Sequence, residues 1–140
     1  MSKKILIIGN GAKEYALAKK LSEKHEVYVT PSSDTLKEFT ICLDIREDNV
    51  AELLEFVMEN GIDMTIPISA QALKSNIAEI FNNNGQKIFA PAQKASNIVF
   101  DKALAKKVLY KLRIPTPKLV FLKNKIWFLI ILKIKKYHFC

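Results

Sequence analysis

Short apolar runs that alternate with segments of helix length restrict the fold of this chain most. Residues 5–8 (ILII) form an unbroken apolar run between Lys4 and Gly9, which is typical of a strand buried on both faces. Residues 11–24 follow with apolar side chains at helical spacing. Neighbouring parallel strands need a long crossover connection, usually a helix. The start of the chain therefore predicts the first strand and helix of a parallel sheet.

The same alternation continues downstream. Further strands are predicted at residues 27–29, 40–43, 64–66 and 87–90. Further helices are predicted from Asp48, a candidate N-cap, to Asn60-Gly61, over residues 73–81, and after Pro91 with a break near Asp101. The predicted fold class is α/β, with an open, mainly parallel sheet that carries helices on both faces.

Composition and charge restrict the function. The 140 residues are 49% hydrophobic and carry a formal net charge of +8, which at first suggests nucleic-acid binding. Residues 1–101, however, contain 11 basic and 14 acidic residues, whereas residues 102–140 contain 11 basic residues and no acidic one. The longest apolar run, residues 126–132, is shorter than the roughly 20 residues that span a bilayer. We therefore predict a cytoplasmic protein that binds a small molecule, and neither nucleic acid nor a membrane.

In open parallel sheets the ligand crevice lies beyond the carboxyl ends of the strands. The segments predicted to line it are residues 9–14, 30–35, 67–71 and 90–93. In the first of them, Gly9-Asn10-Gly11 follows the buried strand and opens a helix, an arrangement that suits a phosphate. A dinucleotide site would need a third glycine where Glu14 stands. A tight turn that binds no ligand and a nicotinamide-type cofactor remain alternatives.

Four segments, in order, resemble one enzyme family. Residues 4–18 (KILIIGNGAKEYALA) are similar to the opening of phosphoribosylamine-glycine ligases, the glycinamide ribonucleotide synthetases, where the strand is followed by Gly-Asn-Gly-Gly-Arg-Glu-His-Ala. Residues 62–66 (IDMTI), 85–91 (GQKIFAP) and 101–116 (DKA to IPT) match later motifs of that family. The resemblance covers residues 3–122 and identifies the N-terminal, pre-ATP-grasp domain of an ATP-grasp ligase.

The resemblance implies an activity for the complete relative. Such a ligase joins glycine to phosphoribosylamine in purine biosynthesis, with ATP and Mg²⁺ converting glycine to an acyl phosphate, so that catalysis is mainly positioning and charge neutralisation. This chain alone, which ends before the ATP-grasp domain, is expected to hold no cofactor and to be inactive. A Rossmann-like module that senses a nucleotide or another ligand, and an inactive remnant, are the competing interpretations.

The resemblance also implies site residues. Lys102 matches a family lysine near the ATP phosphates, although a solvated lysine after an N-cap Asp101 explains it equally well. No catalytic residue and no metal ligand are assigned. The residues implied to bind the phosphoribosylamine-like substrate are Gly9, Asn10, Gly11, Lys13, Glu14, Pro31 and Ser32.

Several positions depart from the family pattern. Lys13 and Tyr15 replace an arginine and a histidine, and residues 31–35 (PSSDT) form a shorter turn without glycine. Residues 68–70 (ISA) replace Gly-Pro-Glu, so an acid expected at the substrate is missing at Ala70. These departures indicate either a divergent ligase with another amine substrate or a copy that has lost its activity.

The predicted organisation has three parts. Residues 1–100 form the pre-ATP-grasp domain, residues 101–122 a linking helix and the start of a lost ATP-grasp domain, and residues 123–140 an atypical tail rich in Lys, Ile and Phe. The tail is interpreted as the product of a frameshift or premature stop, as an added strand or partner-binding element, or as a basic surface arm. Its unpaired apolar run is also a candidate for homo-oligomer formation.

Overall fold

The computed structural model describes residues 1–117. The chain divides into two compact units, Met1–Lys102 and Ala103–Cys140. In the second unit, Lys106 Nζ donates hydrogen bonds to Thr116 Oγ1 at 2.5 Å and to the Pro117 carbonyl at 2.6 Å. The strands are β1 (Lys4–Ile8), β2 (Glu26–Thr30), β3 (Ile41–Cys42) and β4 (Met64–Pro67). The helices are α1 (Ala12–Ser22), α2 (Val50–Asn60), α3 (Ala70–Lys74), α4 (Ile77–Asn83), α5 (Gln93–Phe100) and α6 (Lys102–Lys111).

The four strands form one parallel sheet in the order β3-β2-β1-β4. In the register of β1, Ile5 lies opposite Val27 of β2 on one side and Met64 of β4 on the other. All three strand pairings are parallel, as the helical connections require. The predicted α/β fold with a parallel sheet is confirmed.

Both faces of the sheet are buried, which explains why β1 is apolar at every position from Ile5 to Ile8. Ile5 and Ile7 lie in a core cluster with Ala18 of α1. Leu6 and Ile8 lie in a second cluster, which also contains Leu53 of α2 and Phe81 of α4. Because successive side chains of a strand point to opposite faces, an unbroken apolar run is the pattern of a strand between two layers of helices.

Three details differ from the sequence-based expectation. The helix expected over residues 73–81 is divided into α3 and α4 by Asn76, which has φ 56°. Asparagine is among the few residues that tolerate this left-handed conformation. The strand expected over residues 87–90 is a single parallel bridge between Ile88 and Thr65.

The third difference concerns the start of α2. Its N-cap is Asn49, whose side chain accepts a hydrogen bond from the Glu52 amide, and not the predicted Asp48. Asp48 is engaged elsewhere, because both of its carboxylate oxygens accept hydrogen bonds from Arg46. The predicted end of the helix is confirmed, since Gly61 has φ 62° in the left-handed C-cap conformation. Within residues 1–117, none of the helices combines the length and the apolar character that a membrane span needs.

Candidate functional site

The loops after β1, β2 and β4 meet at the edge of the sheet formed by the carboxyl ends of the strands. From β1 the chain passes to β2 and β3, and it then returns to place β4 on the opposite side of β1. Ligands of open α/β sheets bind at such a switch point. The Gly9 amide donates to the Thr30 carbonyl at 2.7 Å, and the Ile68 and Ser69 amides donate to the Ile8 carbonyl at 2.9 and 3.0 Å. These bonds hold the loops after β1, β2 and β4 against one another.

The carboxylate of Glu14 fills the space that the two glycines of the β1–α1 loop leave open. A Cβ atom on Gly9 would lie 2.7 Å from Glu14 Oε1, and one on Gly11 would lie 2.9 Å from Oε2. Gly9 also has φ +130°, which side chains rarely adopt. Glu14 is only 5% exposed although it lies in the first turn of α1. Gly9 and Gly11 therefore leave room for the Glu14 side chain, which comes from the helix that follows them.

The N-cap residue of α1 is Gly11, which has no side chain to serve as a cap. In the part of the chain that the structure describes, no other side chain accepts a hydrogen bond at this helix end. The first-turn amides of a helix lack partners within the helix and attract anions. Lys13, which is exposed in the same turn, adds a positive charge. This end of α1 can therefore bind an anionic group beside the buried Glu14 carboxylate.

A first cleft of about 510 Å³ opens beside this helix end. The ring of Tyr15 lines the cleft and packs edge-on against Phe39, with the ring centroids 5.3 Å apart. Tyr15 thus forms a wall at the position where the resembling ligases have histidine. The cleft is lined by Asn10, Gly11, Ala12, Tyr15, Thr35 and Glu38.

A second cleft of about 370 Å³ lies at the carboxyl ends of β2 and β4. Arg46 Nε and Nη2 donate to the two carboxylate oxygens of Asp48 at 3.0 and 2.8 Å. This hydrogen-bonded ion pair lowers the pKa of Asp48 below its ordinary value. Ser69 donates a hydrogen bond to Glu47, one of the lining residues. The lining residues are Pro31, Arg46, Glu47, Asp48 and Gln71.

The residues predicted from the sequence lie in different places. Asn10 and Gly11 line the first cleft and Pro31 lines the second. Gly9, in the loop between β1 and α1, is buried, and so is Glu14, in the first turn of α1. The other three predicted residues line neither cleft: Lys13 and Lys102 are exposed and Ser32 is half-buried.

Sequence reasoning missed Glu38 and the residues around Glu47. The predicted crevice segments do not include the loop after β3, which carries Arg46, Glu47 and Asp48, although this loop also follows the carboxyl end of a strand. The crevice rule, applied to that strand as well, would have found it. Glu38 follows no strand end directly and carries no signal in the sequence. Residues 1–117 contain no group of three or more His, Cys, Asp or Glu side chains that could hold a metal ion.

Solved structures share the fold at low sequence identity. Glycinamide-RNase-transformylase T from Mycobacterium tuberculosis superimposes with a TM-score of 0.69 at 12% identity, covering 92% of this chain and 38% of that one. The biotin carboxylase domain of Hydrogenobacter thermophilus 2-oxoglutarate carboxylase, solved in complex with MgADP, superimposes with a TM-score of 0.62 at 19% identity, covering 95% of this chain and 33% of that one. Likenesses at this identity establish the fold alone.

Sequence comparisons establish the family. The family model described as "Phosphoribosylglycinamide synthetase, N domain" matches residues 3–98. The phosphoribosylamine–glycine ligase of Caldanaerobacter subterraneus subsp. tengcongensis is 32% identical, over 93% of this chain and 34% of the relative. The chain thus spans about a third of the length of that curated relative. This chain belongs to the phosphoribosylglycinamide synthetase N-domain family and corresponds to the N-terminal part of phosphoribosylamine–glycine ligases.

Proposed function

We propose that this chain is the substrate-binding part of an ATP-dependent ligase and that it binds a phosphoribosylamine-like molecule at the carboxyl edge of its sheet. The complete ligase would join that amine to glycine. The observation that carries the proposal is the buried carboxylate of Glu14 between Gly9 and Gly11, at the switch point and beside the uncapped end of α1. This loop offers an acceptor for an amine or hydroxyl next to amides that attract a phosphate.

The charge of the loop favours this ligand over a dinucleotide. Glu14 occupies the space where the backbone of a dinucleotide-binding loop approaches the pyrophosphate, and its charge would repel that group. A phosphoribosylamine carries a phosphate at one end and an amine at the other. The first-turn amides and Lys13 suit the phosphate, whereas Glu14 suits the opposite end.

ATP and Mg²⁺ belong to the complete ligase in this proposal. When bound, ATP supplies the phosphoryl group that turns the carboxylate of glycine into an electrophile. Residues 1–117 contain no cluster of three or more His, Cys, Asp or Glu side chains that could hold a metal ion, and we assign no Mg²⁺ ligand to them. Lys102, exposed at the start of α6, is the one residue for which we propose a contact to ATP, through its point charge on a phosphate.

We expect the 140-residue chain to have no ligase activity, because the region that it shares with the synthetases is their N domain alone. The assay measures ADP release in the presence of glycine, phosphoribosylamine, ATP and Mg²⁺. A phosphoribosylamine–glycine ligase of full length serves as the positive control. Turnover by the 140-residue chain above the enzyme-free rate would contradict this expectation.

Ligand binding is tested by calorimetric titration with ribose 5-phosphate, which keeps the phosphoribosyl part without the unstable amine. We expect saturable binding that weakens as salt concentration rises, because phosphate recognition is electrostatic. NADH should not bind. Binding of NADH without binding of ribose 5-phosphate would replace this proposal by the nucleotide-sensing alternative.

The variant Lys13→Ala should weaken ribose 5-phosphate binding about tenfold, since a charge-assisted contact contributes roughly 1.5 kcal/mol. Lys24→Ala is the matched control, because Lys24 is equally exposed but lies beyond the C-terminal end of α1. Equal affinities in the two variants would show that the N-terminus of α1 is not the phosphate site.

A further inference from the structure

The second cleft contains a carboxylate, that of Glu47, which makes none of the phosphate and amine contacts proposed for the ligand. Glu47 is half-buried in the loop between β3 and α2, and it lines the cleft. Its Oε2 atom accepts a hydrogen bond from Ser69 Oγ, which orients the carboxylate. Among residues 1–117, no group donates a hydrogen bond to its Oε1 atom. Oε2 is therefore held in place by Ser69, while Oε1 can accept a hydrogen bond from a ligand.

Glu47 is also the carboxylate of this cleft that has no cationic partner among the described residues. Arg46 and Asp48 neutralise each other through two hydrogen bonds. The side-chain amide of Gln71, which is exposed in α3, can both donate and accept. An oriented carboxylate and a side-chain amide thus line the same cleft.

This combination suits hydroxyl groups better than an ammonium group. A hydroxyl can donate to the carboxylate of Glu47 and accept from the amide of Gln71, whereas an ammonium group only donates. Two neighbouring hydroxyls of a sugar can use both side chains at once.

We propose that Glu47 and Gln71 bind the hydroxyl groups of the sugar in the phosphoribosyl ligand, an inference that rests on the proposed function. Ser69 is a positioning residue that orients the carboxylate. The loop before α2 thereby supplies an acid at the carboxyl end of β4, where Ser69 begins the loop to α3.

The test is a calorimetric titration of the full 140-residue chain with ribose 5-phosphate, which carries the hydroxyls but no amine. Glu47→Gln should lower the affinity about tenfold, because a hydrogen bond to a charged acceptor is replaced by a neutral one. The glutamine can still accept the hydrogen bond from Ser69, so the fold should be retained. Glu55→Gln, in the exposed face of α2, is the matched control and should keep the affinity of the unmodified chain.

A rescue experiment separates binding from stability. The double variant Glu47→Gln with Ala70→Glu returns a carboxylate to the same edge, at an exposed position in the first turn of α3. It should recover most of the lost affinity, with unfolding midpoints similar in both variants. If the unmodified chain binds and Glu47→Gln binds equally well, this inference is wrong while the proposed function stands. If the unmodified chain does not bind ribose 5-phosphate, both are wrong.

Discussion

At the scale of single residues, Gly9 is a position where both the backbone conformation and the neighbouring Glu14 side chain require glycine. Its φ of +130° disfavours any side chain, and a Cβ atom would lie 3.0 Å or less from three atoms of Glu14. Gly85 also has a positive φ, of +70°, but a Cβ atom there would meet nothing within 4 Å. Both glycines therefore have a backbone conformation that disfavours a side chain, and Gly9 in addition has no space for a Cβ atom.

We expect Gly9→Ala to lower the free energy of unfolding by about 3 kcal/mol and Gly85→Ala by about 1 kcal/mol, in line with the usual range for strained backbone positions. Urea unfolding followed by circular dichroism measures both values. Equal losses in the two variants would mean that Glu14 does not pack against Gly9 in solution.

Two buried threonines of the sheet form a second matched pair. Thr30 Oγ1 lies 2.5 Å from the Ile45 carbonyl, to which it donates, and accepts from the Ile45 amide at 3.1 Å. Thr65 Oγ1 is buried and finds no hydrogen-bond partner among residues 1–117. Both residues are fully buried, at 0% exposure. One hydroxyl thus stabilises the loop that leads to Glu47, whereas the other carries a desolvation penalty.

Thr30→Val should therefore lower the free energy of unfolding by about 2 kcal/mol, because it leaves a buried amide without its acceptor. Thr65→Val should leave the free energy unchanged or raise it by about 1 kcal/mol. Valine preserves the shape in both cases. A comparable loss in both variants, measured by urea unfolding, would contradict this expectation.

At the scale of elements, Asp63 joins the amino-terminal ends of β1 and β4. The Lys4 amide donates to Asp63 Oδ2 at 2.8 Å, and Lys3 Nζ lies 3.5 Å from Oδ1. The hydrogen bond from the Lys4 amide, together with the charge of Lys3, lowers the pKa of Asp63 below its ordinary value of 3.8. Because the folded state favours the ionised form, this contribution to stability is present above the ordinary pKa and is lost as pH falls through the lowered one.

Asp63→Asn should accordingly unfold at a lower urea concentration than the unmodified chain at pH 7, and the difference should shrink below about pH 4. Asp44→Asn is the control, since Asp44 is exposed and accepts no side-chain hydrogen bond among the described residues. Asp44→Asn should leave the urea midpoint at pH 7 close to that of the unmodified chain. A difference for Asp63→Asn that persists undiminished at pH 3 would contradict the assignment.

At the scale of the whole molecule, the first compact unit ends at Lys102, and both core clusters lie within it. The family model also ends within this unit, at residue 98. A chain that consists of residues 1–102 should therefore fold alone and unfold in one cooperative transition, within about 5 °C of the first transition of the longer chain. Thermal unfolding followed by circular dichroism measures this. A shortened chain without a cooperative transition would show that later residues are needed for the core.

The functions suggested for residues 123–140 remain predictions. The interpretations of residues 123–140, including homo-oligomer formation, lie outside the described residues 1–117. Size-exclusion chromatography of the full chain beside a chain of residues 1–117 tests self-association directly. A later elution of the shorter chain that reflects only its smaller mass would exclude assembly through residues 118–140.

The sequence by itself determined the class of fold and the ends of its clearest elements. An apolar run such as residues 5–8, followed by a segment of helix length, is typical of a strand buried on both faces in a parallel sheet covered by helices. α2 ends at Gly61 because glycine adopts the left-handed C-cap conformation more readily than other residues do. The glycine loop after β1 was found in the same way. These signals lie within a few neighbouring residues, and so they can be read without knowing the rest of the fold.

Only the tertiary structure decided how the site is divided. The placement of β4 beside β1 brings Ser69 next to Glu47, which is 22 residues away in the sequence. The burial of Glu14 between Gly9 and Gly11 likewise depends on the path of the loop and on the direction of one side chain. Strand order and side-chain direction result from packing across the whole sheet, and no local pattern of residues encodes them.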